Sequence, residues 1–209
     1  LYFVEVLAEK SDAPAALREM INRIENMHKC KSVYRVHADR AQELTGLRSR
    51  RWLEDNGVMV TNTAGYDSNA NGRAERAECF FQEKARTLLA TNIRSEKFQE
   101  KLRTRWPFAV QHAVEVHRRE ILGLPRCKFE FGQCILSRMN KPETKFDPRL
   151  HRVIFLGFAP SVTNGYWVMN KLDKIELTSN VTEDPDFDRI ESLMEPTPKE
   201  ADQPPPALH

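Results

Sequence analysis

The stretch NGRAERAECFF, Asn71–Phe81, places a turn-forming Asn-Gly pair directly before a helical pattern that opens with a glutamate between two arginines. At about 100° per residue, with Glu75 set at zero, Ala77, Phe80, Phe81 and Leu88 fall between roughly 140° and 240°. The pattern predicts a helix that buries this apolar stripe and holds Glu75 on the opposite face with Cys79, Gln82 and Arg86. Lys84 falls within the stripe and is expected to reach out past it. The polar run TNTAGYDSNANG before the helix carries residues that favour turns.

Reading back from this helix, VMVT at 58–61 predicts a short strand, and TGLRSRRWLEDNG at 45–57 a short helix stopped at Gly57. SVYRVHA at 32–38 predicts a strand with Asp39 at its C-terminal end, where α/β folds place reacting groups. Ser11, Asp12 and Pro14 supply helix-start chemistry for a stripe of Leu17, Met20, Ile21, Ile24 and Met27. The opening LYFVEVL predicts a buried strand. Strand and helix alternate, which indicates an α/β layer.

The chain has 209 residues and a net charge of +2, and that balance hides an asymmetry. From Glu183 onward eight acids face only Arg189 and Lys199, so the tail carries −6 and residues 1–182 carry +8. A basic body suits a polyanionic partner, although solvated helix faces also produce such an excess. Six of the twelve prolines lie in the tail, which predicts a disordered linker. No run of apolar residues is long enough to span a membrane. The four cysteines show no C-x-x-C pairing, and His28 with Cys30 alone does not complete a zinc site. Trp52, Trp106 and Trp167 fit core anchors better than base-stacking platforms.

Between Asp39 and Glu75 lie 35 residues. With HADRAQEL around the first acid and NGRAER around the second, the pair resembles the latter two acids of the D,D-35-E polynucleotidyl transferases. Within that superfamily, TAGYDSNANGRAER and WLEDNGV are similar to integrases of copia-type long-terminal-repeat retrotransposons. The resemblance continues in RWPFAVQHAVEVHRR, in FEFGQCILSRMNKPETKFDPRLHRVIFLGFA and in NGYWVM, and covers about residues 1–180. Taken alone, an Asp/Glu pair at any spacing is usually two surface acids, and Arg73 and Arg76 equally fit solvated charges.

The resemblance implies an α/β (α+β) RNase H-like integrase core at 1–122 lacking its first strand. A small all-β Src-homology-3-like barrel would follow at 126–182, then an acidic, proline-rich disordered linker at 183–209. Four apolar runs, FEFGQCILS, HRVIFLGF, GYWVMN and KIELTSN, fit that barrel. Asp39 and Glu75 would be catalytic metal ligands for Mg²⁺ or Mn²⁺ in a two-metal site, because carboxylates are the hard oxygen ligands such ions need.

The family's first Asp belongs to a strand ahead of LYFVEVL. Glu5 and Asp12 are the nearest acids, and neither is placed to replace it, so these residues alone are expected to be inactive. Ala41 stands where the family pattern has glycine. DNA, both element ends and target, is the implied partner, through Asn71, Arg73, Arg76 and Arg86 in the core and Lys128, Arg138 and Lys145 in the barrel. Arg126, Lys141, Arg149 and Arg152 extend the barrel's basic set. Self-association, no membrane, and a nuclear or cytoplasmic particle location complete the expectation. The alternative is a non-catalytic nucleic-acid-binding or inert remnant of a transposable element.

Overall fold

The computed structural model describes residues 1–38, 46–62, 72–91, 96–138, 149–159, 162 and 164–185. The chain divides into two compact units, Leu1–Glu83 and Lys84–His209.

The first unit is built on a parallel pair of strands. A 3₁₀ turn, Lys10–Asp12, leads into helix α1, Ala13–His28, with proline in its first turn. Strand β1 (Arg35–Ala38), helix α2 (Leu47–Asp55) and strand β2 (Met59–Asn62) follow. β1 and β2 run parallel with Arg35 opposite Met59 and Ala38 opposite Asn62. Ile21, Leu53 and Val58 form the buried core of this unit, with Leu17, Val33, Val36, Trp52 and Val60 against it. Met27, the last residue of the expected α1 stripe, is exposed, because α1 ends one residue later at a left-handed Lys29.

LYFVEVL does not form the expected strand. No described strand pairs with it, and without ladder partners its β-branched residues stay in coil. Side chains tether it instead: Glu5 pairs with Arg23, and Tyr2 meets Phe81 edge-on at 5.1 Å between centroids.

Helix α3, Gly72–Thr91, contains the unit boundary. The second unit continues with α4 (Glu96–Arg103) and α5 (Trp106–Ile121). Five strands follow: β3 (Cys134–Arg138), β4 (Leu150–Ala159), β5 (Gly165–Met169), β6 (Ile175–Thr178) and β7 (Val181–Glu183). They form one antiparallel sheet in the order β6-β5-β4-β3-β7.

This order makes the sheet curl. A flat five-stranded sheet is about 19 Å from first strand to last, yet only Ser179 and Asn180 join β6 on one edge to β7 on the other. The step from Thr178 to Val181 spans at most about 11 Å. The curl is visible in hydrogen bonds from β3: Ser137 Oγ donates to Thr178 Oγ1 at 3.1 Å, and Arg138 N–H donates to Asn180 O at 3.1 Å. Among the described residues no ladder joins β6 to β7, so the expected barrel is an open, curled sheet.

β4 is buried on both faces, which explains why VIFLGF reads as a continuous apolar run. Ile154 and Leu156 join Ala85, Phe98, Leu102, Ala109, Phe131 and Met169 in one cluster, where the end of α3, α4 and α5 cover the sheet. Val153 and Phe155 face the other way, with Phe129, Ile135 and Val168. By its contacts the chain divides at Glu83–Lys84, because α4 and α5 bury their apolar sides on the sheet. Glu183 and Asp184 also belong to the sheet region, the first in β7 and the second buried beside it. The expected disorder of the linker concerns 186–209, outside the described residues. Among the described residues no helix is long and apolar enough to cross a membrane.

Candidate functional site

Parallel pairing sets the C-terminal ends of β1 and β2 side by side, Ala38 against Asn62. Asp39 is the next residue after Ala38, but Asp39, Ala41 and Asn71 lie outside the described residues. Glu75 sits in the first turn of α3 and is exposed, as are Arg73 and Arg76. An acidic side chain at that end complements the helix dipole. Glu75 forms no hydrogen bond or ion pair with the described residues, so its two carboxylate oxygens are open to a hard cation.

The wheel reading of α3 holds at Phe81, which is 5% exposed, and Ala77 and Leu88 are half-buried. It fails at Phe80, 40% exposed and set edge-on to Phe81 at 5.1 Å. Lys84 is exposed, as expected from its length. Arg86 is exposed too, within the second unit.

Neither Glu5 nor Asp12 is free for a metal. Glu5 pairs with Arg23, and Asp12 accepts a hydrogen bond from the Glu9 N–H at 3.2 Å in a reciprocal capping box. No group of three or more His, Cys, Asp or Glu among the described residues is placed to hold a metal ion.

On the sheet unit, Arg126, Lys128, Arg138 and Arg149 are exposed, and Lys141 and Lys145 lie outside the described residues. Arg152 is different. Its Nε lies 2.7 Å from Asp184 Oδ2, and Asp184 is the buried carboxylate of this unit, with a side chain 3% exposed. Cys134 Sγ donates to the same oxygen at 3.8 Å. Burial and the neighbouring Asp184 charge push the Cys134 thiol up to about 12, against the smaller downward pull of Arg152. Arg152 is thus committed to an intramolecular carboxylate.

Sequence reasoning also passed over His112. It is 4% exposed on α5, ringed by Phe131, Phe155 and Phe158 at centroid distances of 6.0, 5.5 and 6.1 Å. Its Nδ1 has no hydrogen-bond partner. Burial lowers its pKa to about 4 from the ordinary 6.5, so it is neutral at pH 7. A groove of about 540 Å³ opens beside it, bordered by Leu88, Val116, Arg119, Cys127 and Phe129. Arg119 is fully engaged there: it pairs with Glu115 at 3.1 Å, donates to Pro125 O at 3.0 Å and stacks 4.1 Å over Phe158. A helical position such as 112 gives no sequence signal of this, since its cage comes from residues more than a dozen positions away.

The tryptophans divide. Trp52 packs in the first core under the Arg18 guanidinium, and Trp167 meets Phe108 at 6.0 Å, while Trp106 is 55% exposed. No protein-family model and no curated protein matches the chain.

Proposed function

We propose that this chain is an integrase-type polynucleotidyl transferase region of a copia-type retrotransposon polyprotein, binding DNA and contributing two acids to a two-metal strand-transfer site. The observation that supports it most is the parallel β1–β2 pair. It brings the two strand ends together, with Asp39 next after one and the loop to the Glu75-bearing first turn of α3 after the other. An RNase H-like core uses this arrangement to set carboxylates at one end of a sheet. The curled sheet order β6-β5-β4-β3-β7, with a two-residue link between its edges, agrees with a Src-homology-3-like module.

In this reading Glu75, in the first turn of a helix that buries Phe81, is one metal ligand, and Asp39 is the second. Asp39 and Glu75 would hold Mg²⁺ or Mn²⁺, which would supply Lewis-acid chemistry for phosphodiester transfer. Arg73 and Arg76, exposed beside Glu75, contact target phosphates, as do Lys128, Arg138 and Arg149 on the sheet unit. Asn71, Arg86 and Lys145 belong to the same proposed contact set. With Glu5 and Asp12 engaged elsewhere, residues 1–209 supply two of the three acids, so they bind DNA without joining strands.

Strand transfer with a labelled element-end duplex in Mg²⁺ or Mn²⁺ tests this. The 209-residue chain is expected to bind DNA and leave it unjoined. A protein extended upstream by a strand bearing an Asp is expected to join strands, and Glu75→Gln in it to abolish joining with circular dichroism unchanged. Robust joining by the 209 residues alone, or by the extended Glu75→Gln protein, would sink the site. DNA binding without joining in the extended protein supports the non-catalytic remnant instead.

A further inference from the structure

We propose that the groove beside His112 is a binding site for a neutral, planar nitrogen heterocycle of the nucleobase class. The site goes beyond the strand-transfer reading and depends on neither Asp39 nor Glu75. It lies wholly within the second unit, lined by residues of α3, α5 and the segment leading into β3. Two independent observations meet there. The first is the cavity, about 540 Å³, with Leu88, Val116, Cys127, Phe129 and Phe131 along its walls; small-molecule sites commonly measure about 300–1,000 Å³ and are lined in this apolar way. The second is an unmet polar group. His112 is 4% exposed, and its Nδ1, set against Gly157 of β4, is sealed from water without a partner. Its Nε2 makes no hydrogen bond with the described residues either. Buried polar side chains are nearly always hydrogen-bonded. The imidazole borders the groove, so an occupant of the groove supplies the partner.

Charge decides the class of ligand. His112 is neutral at pH 7 and offers one N–H donor and one lone pair. Among the lining residues Arg119 is taken up by Glu115, Pro125 O and Phe158, which leaves exposed Arg126 against exposed Glu120 and Glu130. One positive charge against two negative ones gives an anion no advantage there. A cation would have to shed its water against leucine, valine and phenylalanine side chains. A neutral ring satisfies both limits: its apolar faces pack on the aromatic walls, and a donor or acceptor on its edge pairs with the imidazole. Nucleobases combine such faces with such edges. For a nucleoside of about 18 non-hydrogen atoms, ordinary ligand efficiency corresponds to a Kd on the order of 0.1 mM.

Amide spectra of the ¹⁵N-labelled 209-residue chain, titrated at pH 7 with deoxyadenosine, deoxycytidine, benzene and inorganic phosphate, test the site. At least one nucleoside is expected to shift the amides of Val116, Cys127 and Phe129 saturably. His112→Phe, which keeps an aromatic ring but loses both nitrogens, should weaken that nucleoside roughly tenfold and leave benzene unaffected. Val116→Glu, at a helix position already 40% exposed, should block the groove without touching the core and abolish the shifts; it decides the matter if His112→Phe does not fold. A short single strand that shifts the same amides identifies an unpaired base of a strand as the source, and one that leaves them unmoved while the nucleoside binds identifies the free nucleoside. No shift with either nucleoside overturns the proposal. So does nucleoside binding that is indifferent to both variants, or a response at these amides to inorganic phosphate alone, which would make the groove an anion site.

Discussion

Lowering the pH from 7 to 5 should destabilise the sheet unit through His112. His112 is buried, its Nδ1 is unpartnered, and its pKa in the folded chain is about 4 against 6.5 in the unfolded chain. The folded-state pKa is depressed, so the unfolded chain takes the proton more readily. The stability associated with neutral His112 is therefore fully present above pH 6.5 and is lost as pH falls toward 4. Every tenfold difference in proton affinity between the folded and unfolded chain corresponds to about 1.4 kcal/mol. The full loss, reached below pH 4, is about 3.4 kcal/mol, and about 2 kcal/mol of it has occurred by pH 5.

The perturbation that isolates the group is His112→Phe, which keeps a ring among Phe131, Phe155 and Phe158 but has nothing to protonate. Urea unfolding followed through the amide signals of Phe155 and Val168 reads this unit separately from Leu1–Glu83. Between pH 7 and pH 5 the native chain should lose about 2 kcal/mol more than the variant. Equal losses in both would show that His112 is neutral for another reason or that its cage opens to water, and would refute the reasoning.

Three further outcomes follow from the same packing. Gly157→Ala should destabilise the unit by about 2 kcal/mol or more, because Gly157 has φ +124 and a Cβ there would lie 3.1 Å from His112 Cβ, while Gly123→Ala, at φ +62 in open space, should cost less in the same urea assay. Arg152→Ala should cost about 2–3 kcal/mol by leaving the Asp184 carboxylate buried and unpaired, and Asp184→Asn less than half of that; a smaller loss for the arginine variant than for the amide would contradict it. Iodoacetamide at pH 8 should label exposed Cys30 and Cys79 within minutes and leave Cys134 unmodified until unfolding, since burial and Asp184 keep its thiol protonated; early labelling of Cys134 by mass spectrometry would count against that environment.

Local chemistry was enough to place most elements of this protein. Proline near the start of α1, the left-handed Gly57 after α2, and period-three-to-four apolar spacing in α1 are short-range signals, and the elements formed where they pointed. The charge asymmetry and the exposure of Glu75, Arg73 and Arg76 were likewise legible, because a helix start surrounded by polar residues has no apolar surface to bury. Other features depended on partners distant in the chain. LYFVEVL has strand composition but no described strand to pair with, and a strand's hydrogen bonds exist only when another strand supplies them. That α4 and α5 bury their apolar sides on β4, and so share its compact unit, is contained in no window of sequence. His112 became a neutral, caged imidazole, and Arg152 a partner for Asp184, only when strands folded over α5 and β7 closed beside β3. Burial and electrostatic pairing are properties of assembled surfaces, and so the titration of this protein and the commitment of one basic residue were decided by tertiary structure alone.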